Sequence, residues 1–248
     1  MSKPPSTLLL VEGRDDEHVV KSICGRMEIG HIDEIRFKHN LHSADKEPPR
    51  GKEPPRGKEA LLKALPNYLE SRGEELTALG VLVDADDNLA TSWQSIIRTL
   101  HQLGYTDLPE HPDLAGTIIP PPQKAIQPPQ PGDIGISPLG DTNPLPLPRV
   151  GIWIMPDNQL GGTLEDFLKF LVPEGDPLLP YAEQTLDNLP DTRFTSPHRP
   201  KALMHTWLAW QSEPGKPYGQ AISAKYLNTD LPIAKTFANW LRRTFFDD

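Results

Sequence analysis

Short apolar runs of strand length recur along this chain, and each gives way to polar residues and then to a helical pattern. Leu8-Leu9-Leu10-Val11 is followed at once by Glu12 and Gly13. The glycine leaves the backbone free to bend, which places the acid at the mouth of a βα turn. A second run, residues 79–83, ends in Asp84-Ala85-Asp86-Asp87-Asn88. In a third, residues 149–155, Val150, Ile152 and Ile154 alternate with Gly151 and Trp153, and Asp157 and Asn158 follow. Residues 32–39 alternate as a further strand, with Ile35 and Phe37 on one face.

Helical spacing fills the intervals. Val19, Val20, Ile23 and Met27 predict a helix over 15–27, capped by Asp15 or Asp16. Leu61, Leu62, Leu65 and Leu69 predict another over 58–70, which Pro66 should shorten or kink. Trp93, Ile96, Ile97 and Leu100 predict a third over 90–103, stopped by Gly104. After Gly161-Gly162, Thr163 with Asp166 three residues on forms a capping pair that opens a fourth. Residues 178–189, 197–211 and 231–246 also read as helices. Strands alternating with helices predict an α/β fold with a parallel sheet. In such a sheet the strand ends share one edge, so Glu12, Asp84 and Asp86 should converge where open sheets bind ligands.

Proline marks the interruptions; there are 29 in 248 residues. The hexapeptide Lys-Glu-Pro-Pro-Arg-Gly occurs twice in tandem over residues 46–57. Such units form neither a helix nor a central strand, so the repeat reads as an exposed loop, either a neutral expansion or a partner contact. Residues 109–148 are rich in proline and predict an irregular segment over the domain surface, with 117–119 and 134–136 as short edge strands. The expected organisation is an α/β domain over 1–175 containing that insertion, and a helical extension over 176–248 packed on the same domain.

The formal net charge of −9 speaks against a broad basic surface that binds nucleic acid by counterion release. Local basic clusters remain compatible with it, because a patch of acids inflates the negative total. One cysteine, Cys24, excludes a disulfide framework and a cysteine-rich zinc site within the chain and fits a reducing cytoplasm. The N-terminal residues lack a signal-peptide core and no apolar run reaches transmembrane length, so the expectation is an intracellular protein without a membrane anchor.

The acids carry the candidate chemistry. Two carboxylates at i and i+2 across a turn, joined by a third from another strand, can hold Mg²⁺ or Mn²⁺ through oxygen ligands and water. Such ions orient a phosphodiester, generate hydroxide and stabilise the leaving oxygen. Without the metal the same acids repel a phosphate. The plainer reading of a strand-end acid is a cap for the next helix, which covers Asp86 or Asp87 but not the whole set. Glu165, in a helix first turn beyond the third strand, is either a dipole partner or a further ligand. Lys201, His205, Lys216 and Lys225 are either a phosphate-facing set or solvated surface residues.

Leu10-Val11-Glu12-Gly13-Arg14-Asp15-Asp16 and Val83-Asp84-Ala85-Asp86 resemble the two signatures of the Toprim domain. Topoisomerases, primases, ribosomal RNA maturation nucleases and OLD-family nucleases share that domain. The resemblance implies a Rossmannoid sheet of about four parallel strands flanked by helices. It assigns Glu12 to acid–base chemistry or metal binding and Asp84 and Asp86 to Mg²⁺. The Gly162-Thr163-Leu164-Glu165-Asp166 segment and the Lys216-Pro217-Tyr218-Gly219 loop are also similar to stand-alone prokaryotic Toprim-like proteins. No tyrosine stands in a setting that marks a topoisomerase nucleophile. OLD-family nucleases accompany an ATPase, but no Gly-x-x-x-x-Gly-Lys-Ser/Thr loop is present, so such a partner would be a separate chain. A C-terminal lysine would assist an OLD-like cut, and Lys225 is the candidate.

The expectation is therefore an Mg²⁺- or Mn²⁺-dependent nuclease acting on RNA or DNA, in RNA processing or phage defence. Glu12 would be base or ligand, Asp84, Asp86 and Glu165 ligands, Lys225 an assisting cation, and His205 and Lys216 substrate contacts. The alternative is a non-catalytic Toprim-like module that binds nucleic acid or regulates a partner protein.

Overall fold

Alternating strands and helices build one layered α/β structure in the computed structural model, which describes residues 6–37, 57–72, 76–122 and 147–246. In chain order the elements are β1 (Ser6–Val11), α1 (Arg14–Arg26), β2 (Glu34–Phe37), α2 (Gly57–Arg72), β3 (Leu76–Asp84), α3 (Leu89–Gln102) and β4 (Thr117–Ile119). They continue with β5 (Arg149–Met155), α4 (Leu164–Phe170), α5 (Leu178–Asp187), α6 (Arg199–Ala209), α7 (Tyr218–Ser223) and α8 (Pro232–Phe245). The sheet order is β2-β1-β3-β5-β4. Pairs β1/β2, β1/β3 and β3/β5 are parallel, and β4 adds to β5 antiparallel. This is the expected α/β class, with β4 as the short edge strand at 117–119.

Both faces of the sheet are covered, which is why the central strands read as continuous apolar runs rather than alternating ones. Leu9 and Val11 of β1 pack on one face with α1, α4 and the C-terminal helices, while Leu8 and Leu10 pack on the other with α2 and α3. The C-terminal helices share the first of these cores. Trp153 of β5 meets Phe237 of α8 edge-on at 5.1 Å, and Trp240 lies 5.7 Å from the same ring. Gly151 permits this approach: a Cβ there would stand 2.1 Å from Thr244 Oγ1 of α8.

Pro66 does not end α2, which continues to Arg72. Leu61, Leu65 and Leu69 are buried on either side of the proline, so packing outweighs the lost backbone hydrogen bond. All four β2 residues are half-buried, as an edge strand allows. The expected strand at 134–136 and the tandem repeat up to residue 56 lie outside the described residues. Among the described residues no helix is long and apolar enough to cross a membrane.

Candidate functional site

Neighbouring parallel strands put their carboxyl ends side by side, and the first acids beyond β1 and within the end of β3 meet there. The Asp84 backbone N–H donates to Glu12 Oε1 at 2.9 Å. Glu12 Oε2 accepts from the Lys58 backbone N–H at 3.2 Å, at the start of α2. Gly57 turns the chain into that position at φ +63°, and a Cβ on it would lie 3.0 Å from Glu12 Oε2. Asp84 Oδ1 in turn accepts from Leu164 N–H, the first residue of α4, at 2.9 Å.

Two further acids are held by helix starts. Asp16, 8% exposed, accepts the Gly13 N–H on Oδ2 at 2.9 Å, so it satisfies the backbone at the head of α1 from within the first turn. Asp166 Oδ2 accepts the Thr163 N–H at 2.9 Å in the same way, which leaves Glu165 free of capping duty. Glu165 is 9% exposed and accepts from Thr163 Oγ1 at 2.9 Å and, on its other oxygen, from Tyr218 OH at 3.4 Å. The turns that carry Asp86 and Glu165 are tied together: Asp86 N–H donates to Gly162 O at 3.0 Å, and Gly162 N–H donates to Asp86 O at 2.8 Å. Asn88 rather than an acid caps α3, accepting from Thr91 N–H at 3.0 Å.

The carboxyls are crowded enough to perturb one another. Burial raises Glu12 above the usual carboxylate range, against the Asp84 N–H bond that favours its anion. Burial, then the charge of Glu12, raises Asp16 to about 7. Asp84 is raised well above its ordinary value by burial first and then by Asp16, Glu12, Glu165 and Asp86. These five acids form one electrostatic unit whose anionic form is short of positive charge. Among the described residues, the cations that face it are Lys58, whose ammonium reaches Asp86 Oδ2 at 2.8 Å and Asp84 O at 3.0 Å, and Lys201, 3.7 Å from both Glu165 Oε1 and Asp15 Oδ2.

The remaining expected residues are His205, Lys216 and Lys225. His205 stacks on the Tyr218 ring at 5.1 Å and 26°, one side chain removed from Glu165. Lys216 pairs with Glu213 at 2.8 Å. Lys225 is exposed beyond the far end of α7 at φ +66°. Among the described residues neither lysine pairs with an acid of the cluster. The sequence gives no site role to Lys58 or Tyr218 and offers Asp16 as a candidate cap of the first helix. The tie of Asp16 to Gly13 had a signal, since an acid three residues into a helix commonly accepts the N–H at the cap. Lys58 and Tyr218 had none, because helices from opposite faces of the sheet bring them in.

Among the described residues no three His, Cys, Asp or Glu side chains form a ready-made metal-binding group. The carboxylate oxygens are partly turned to backbone donors instead, two on Glu12 and one each on Asp16 and Asp84. The donor set is nevertheless all oxygen, which suits a hard divalent cation, and the Lys58 ammonium on Asp86 and Asp84 is a stand-in cation at its rim. In donor type alone the residues suit Mg²⁺ or Mn²⁺.

Neither the curated proteins nor the solved structures contain a match to this chain. A family model with the description "Protein of unknown function (DUF3226)" matches residues 6–246.

Proposed function

From the premise that the chain belongs to the DUF3226 family over nearly its whole length, we propose that it is a Toprim-type, divalent-metal-dependent nuclease cutting RNA or DNA phosphodiesters in the cytoplasm. The observation that carries this reading is the direct link between Glu12 and Asp84 at adjacent parallel strand ends, with Asp16, Asp86 and Glu165 around it. Asp84, Asp86 and Glu165 would hold Mg²⁺ or Mn²⁺, with Glu12 and Asp16 beside them. The ion supplies Lewis acidity and an acidified water for hydrolysis.

The chain's own groups have defined tasks in this scheme. Glu12 is fixed by two N–H donors and its carboxyl is raised by burial, which suits a group that takes up a proton during the reaction. Lys201 and His205, on one helix and next to Glu165 and Tyr218, supply positive charge toward an incoming phosphate. Lys216 and Lys225 enter only as surface cations farther out. A Mn²⁺-supplemented cleavage screen on single-stranded and duplex RNA and DNA tests the proposal. Glu12→Gln and Asp84→Asn should each lose at least about a hundredfold in rate, the usual scale for a removed acid–base group. Retained cleavage in the double variant overturns it.

The net charge of −9 favours a second reading, in which the same fold binds or regulates without cutting and a partner protein, such as an ATPase, completes the activity. Metal-dependent turnover by the purified single chain removes that reading.

A further inference from the structure

We infer that Lys58 is a built-in counter-cation of the acid cluster, and that a divalent ion binds by displacing its ammonium from Asp86 and Asp84. The inference rests on the metal-dependent reading above. An ammonium has three donors, and all three are used here. They reach Asp86 Oδ2 at 2.8 Å, Asp84 O at 3.0 Å and Ser92 Oγ at 2.6 Å. The arrangement is built rather than incidental: the Lys58 side chain is only 14% exposed, and Ser92 is fixed in its turn by donating to Ala85 O at 2.9 Å.

One residue thus reaches both acidic strand ends. The main chain of Lys58 donates to Glu12 beyond β1, and its side chain grips the turn beyond β3. Asp86 is held in that turn at φ +54° by its paired bonds to Gly162, so its carboxylate stays within reach of the ammonium. Asp86 Oδ2 and the Asp84 carbonyl are hard oxygen donors of the kind that Mg²⁺ and Mn²⁺ take. An ion that takes them removes two of the three acceptors of Lys58. The released ammonium is then free to meet an incoming phosphate. Lys58 is in this way a positioning residue that sets how tightly the metal is held and couples its arrival to the freeing of a substrate-facing charge.

Calorimetric titration with MnCl₂ decides the matter, using the full chain, Lys58→Met and Lys58→Arg. Lys58→Met should bind Mn²⁺ about tenfold tighter than the unsubstituted chain, the scale of one charge-assisted hydrogen bond no longer competing. Lys58→Arg keeps the charge and should bind no tighter than the unsubstituted chain. If the methionine variant fails to fold without metal, Ser92→Ala, which removes one acceptor of the ammonium, should tighten binding about threefold. Unchanged or weaker binding in Lys58→Met, or in Ser92→Ala when it stands in, overturns the inference while leaving the nuclease reading intact. No saturable Mn²⁺ binding by any form, the unsubstituted chain included, overturns both.

Discussion

Asp16 shows at the scale of one residue how far the site departs from ordinary surface chemistry. Its carboxyl is raised from 3.8 to about 7, by burial first and by the Glu12 charge second. A carboxyl whose pKa is higher in the folded than in the unfolded chain binds protons preferentially when folded. Its contribution to stability is therefore full below about pH 4 and is lost as pH rises through about 7. Asp84 and Glu12 are displaced in the same direction and steepen the same trend. Thermal melts in chelator should accordingly show the melting temperature falling between pH 5 and pH 8. Asp16→Asn keeps an oxygen for the Gly13 N–H but cannot ionise, so its melting temperature should fall less. At pH 8 it should be the more stable protein. Parallel curves for the two proteins would mean that Asp16 ionises freely.

Elements, rather than single acids, decide whether those residues meet. The seat of α8 on β3 and β5 depends on glycine as much as on aromatic rings. Gly151→Ala would drive its Cβ into Thr244, and overpacking of this kind costs about 1–3 kcal/mol. Phe237→Ala should cost about 3–5 kcal/mol, because Phe237 fills the space between Trp153, Phe167 and Trp240. Urea midpoints measure both, and a Thr244→Ala background should return part of the Gly151→Ala loss.

The same elements explain what could be read from the sequence. The strands β1, β3 and β5 were legible because their apolar runs are buried on both faces, and the adjacency of Glu12 and Asp84 follows once those runs lie parallel. Lys58 was not legible. It opens a third Lys-Glu pair directly after two repeats with the same pair, and so reads as the tail of an insertion. Its approach to Asp86 exists only after α2 has crossed the sheet. Tyr218 sits in a proline- and glycine-containing loop by sequence, and its contact with Glu165 arises because α7 packs on α1. Pro66 does not shorten its helix for the converse reason, since burial on both sides holds a helix that local propensity would break.

Over the whole molecule, a net charge of −9 and an acidic sheet edge oppose any polyanion. Nucleic-acid binding by the proposed enzyme therefore has to be conditional on neutralising that edge and has to use cations beside it. Lys201, 3.7 Å from Glu165, is the nearest of these on the C-terminal helices, whereas Lys225 lies beyond α7. Fluorescence anisotropy with a labelled oligonucleotide and the Glu12→Gln variant, which separates binding from cleavage, puts this to the test. Binding should be absent in chelator and appear with Mn²⁺. On that background Lys201→Ala should weaken binding several-fold and reduce the slope of log K against log salt by about 0.7–0.9, the value of one phosphate contact. Lys225→Ala should leave both unchanged. The opposite ranking would move the proposed path of the strand from the α6 face to the far end of α7, and with it the lysine that would serve the proposed cut.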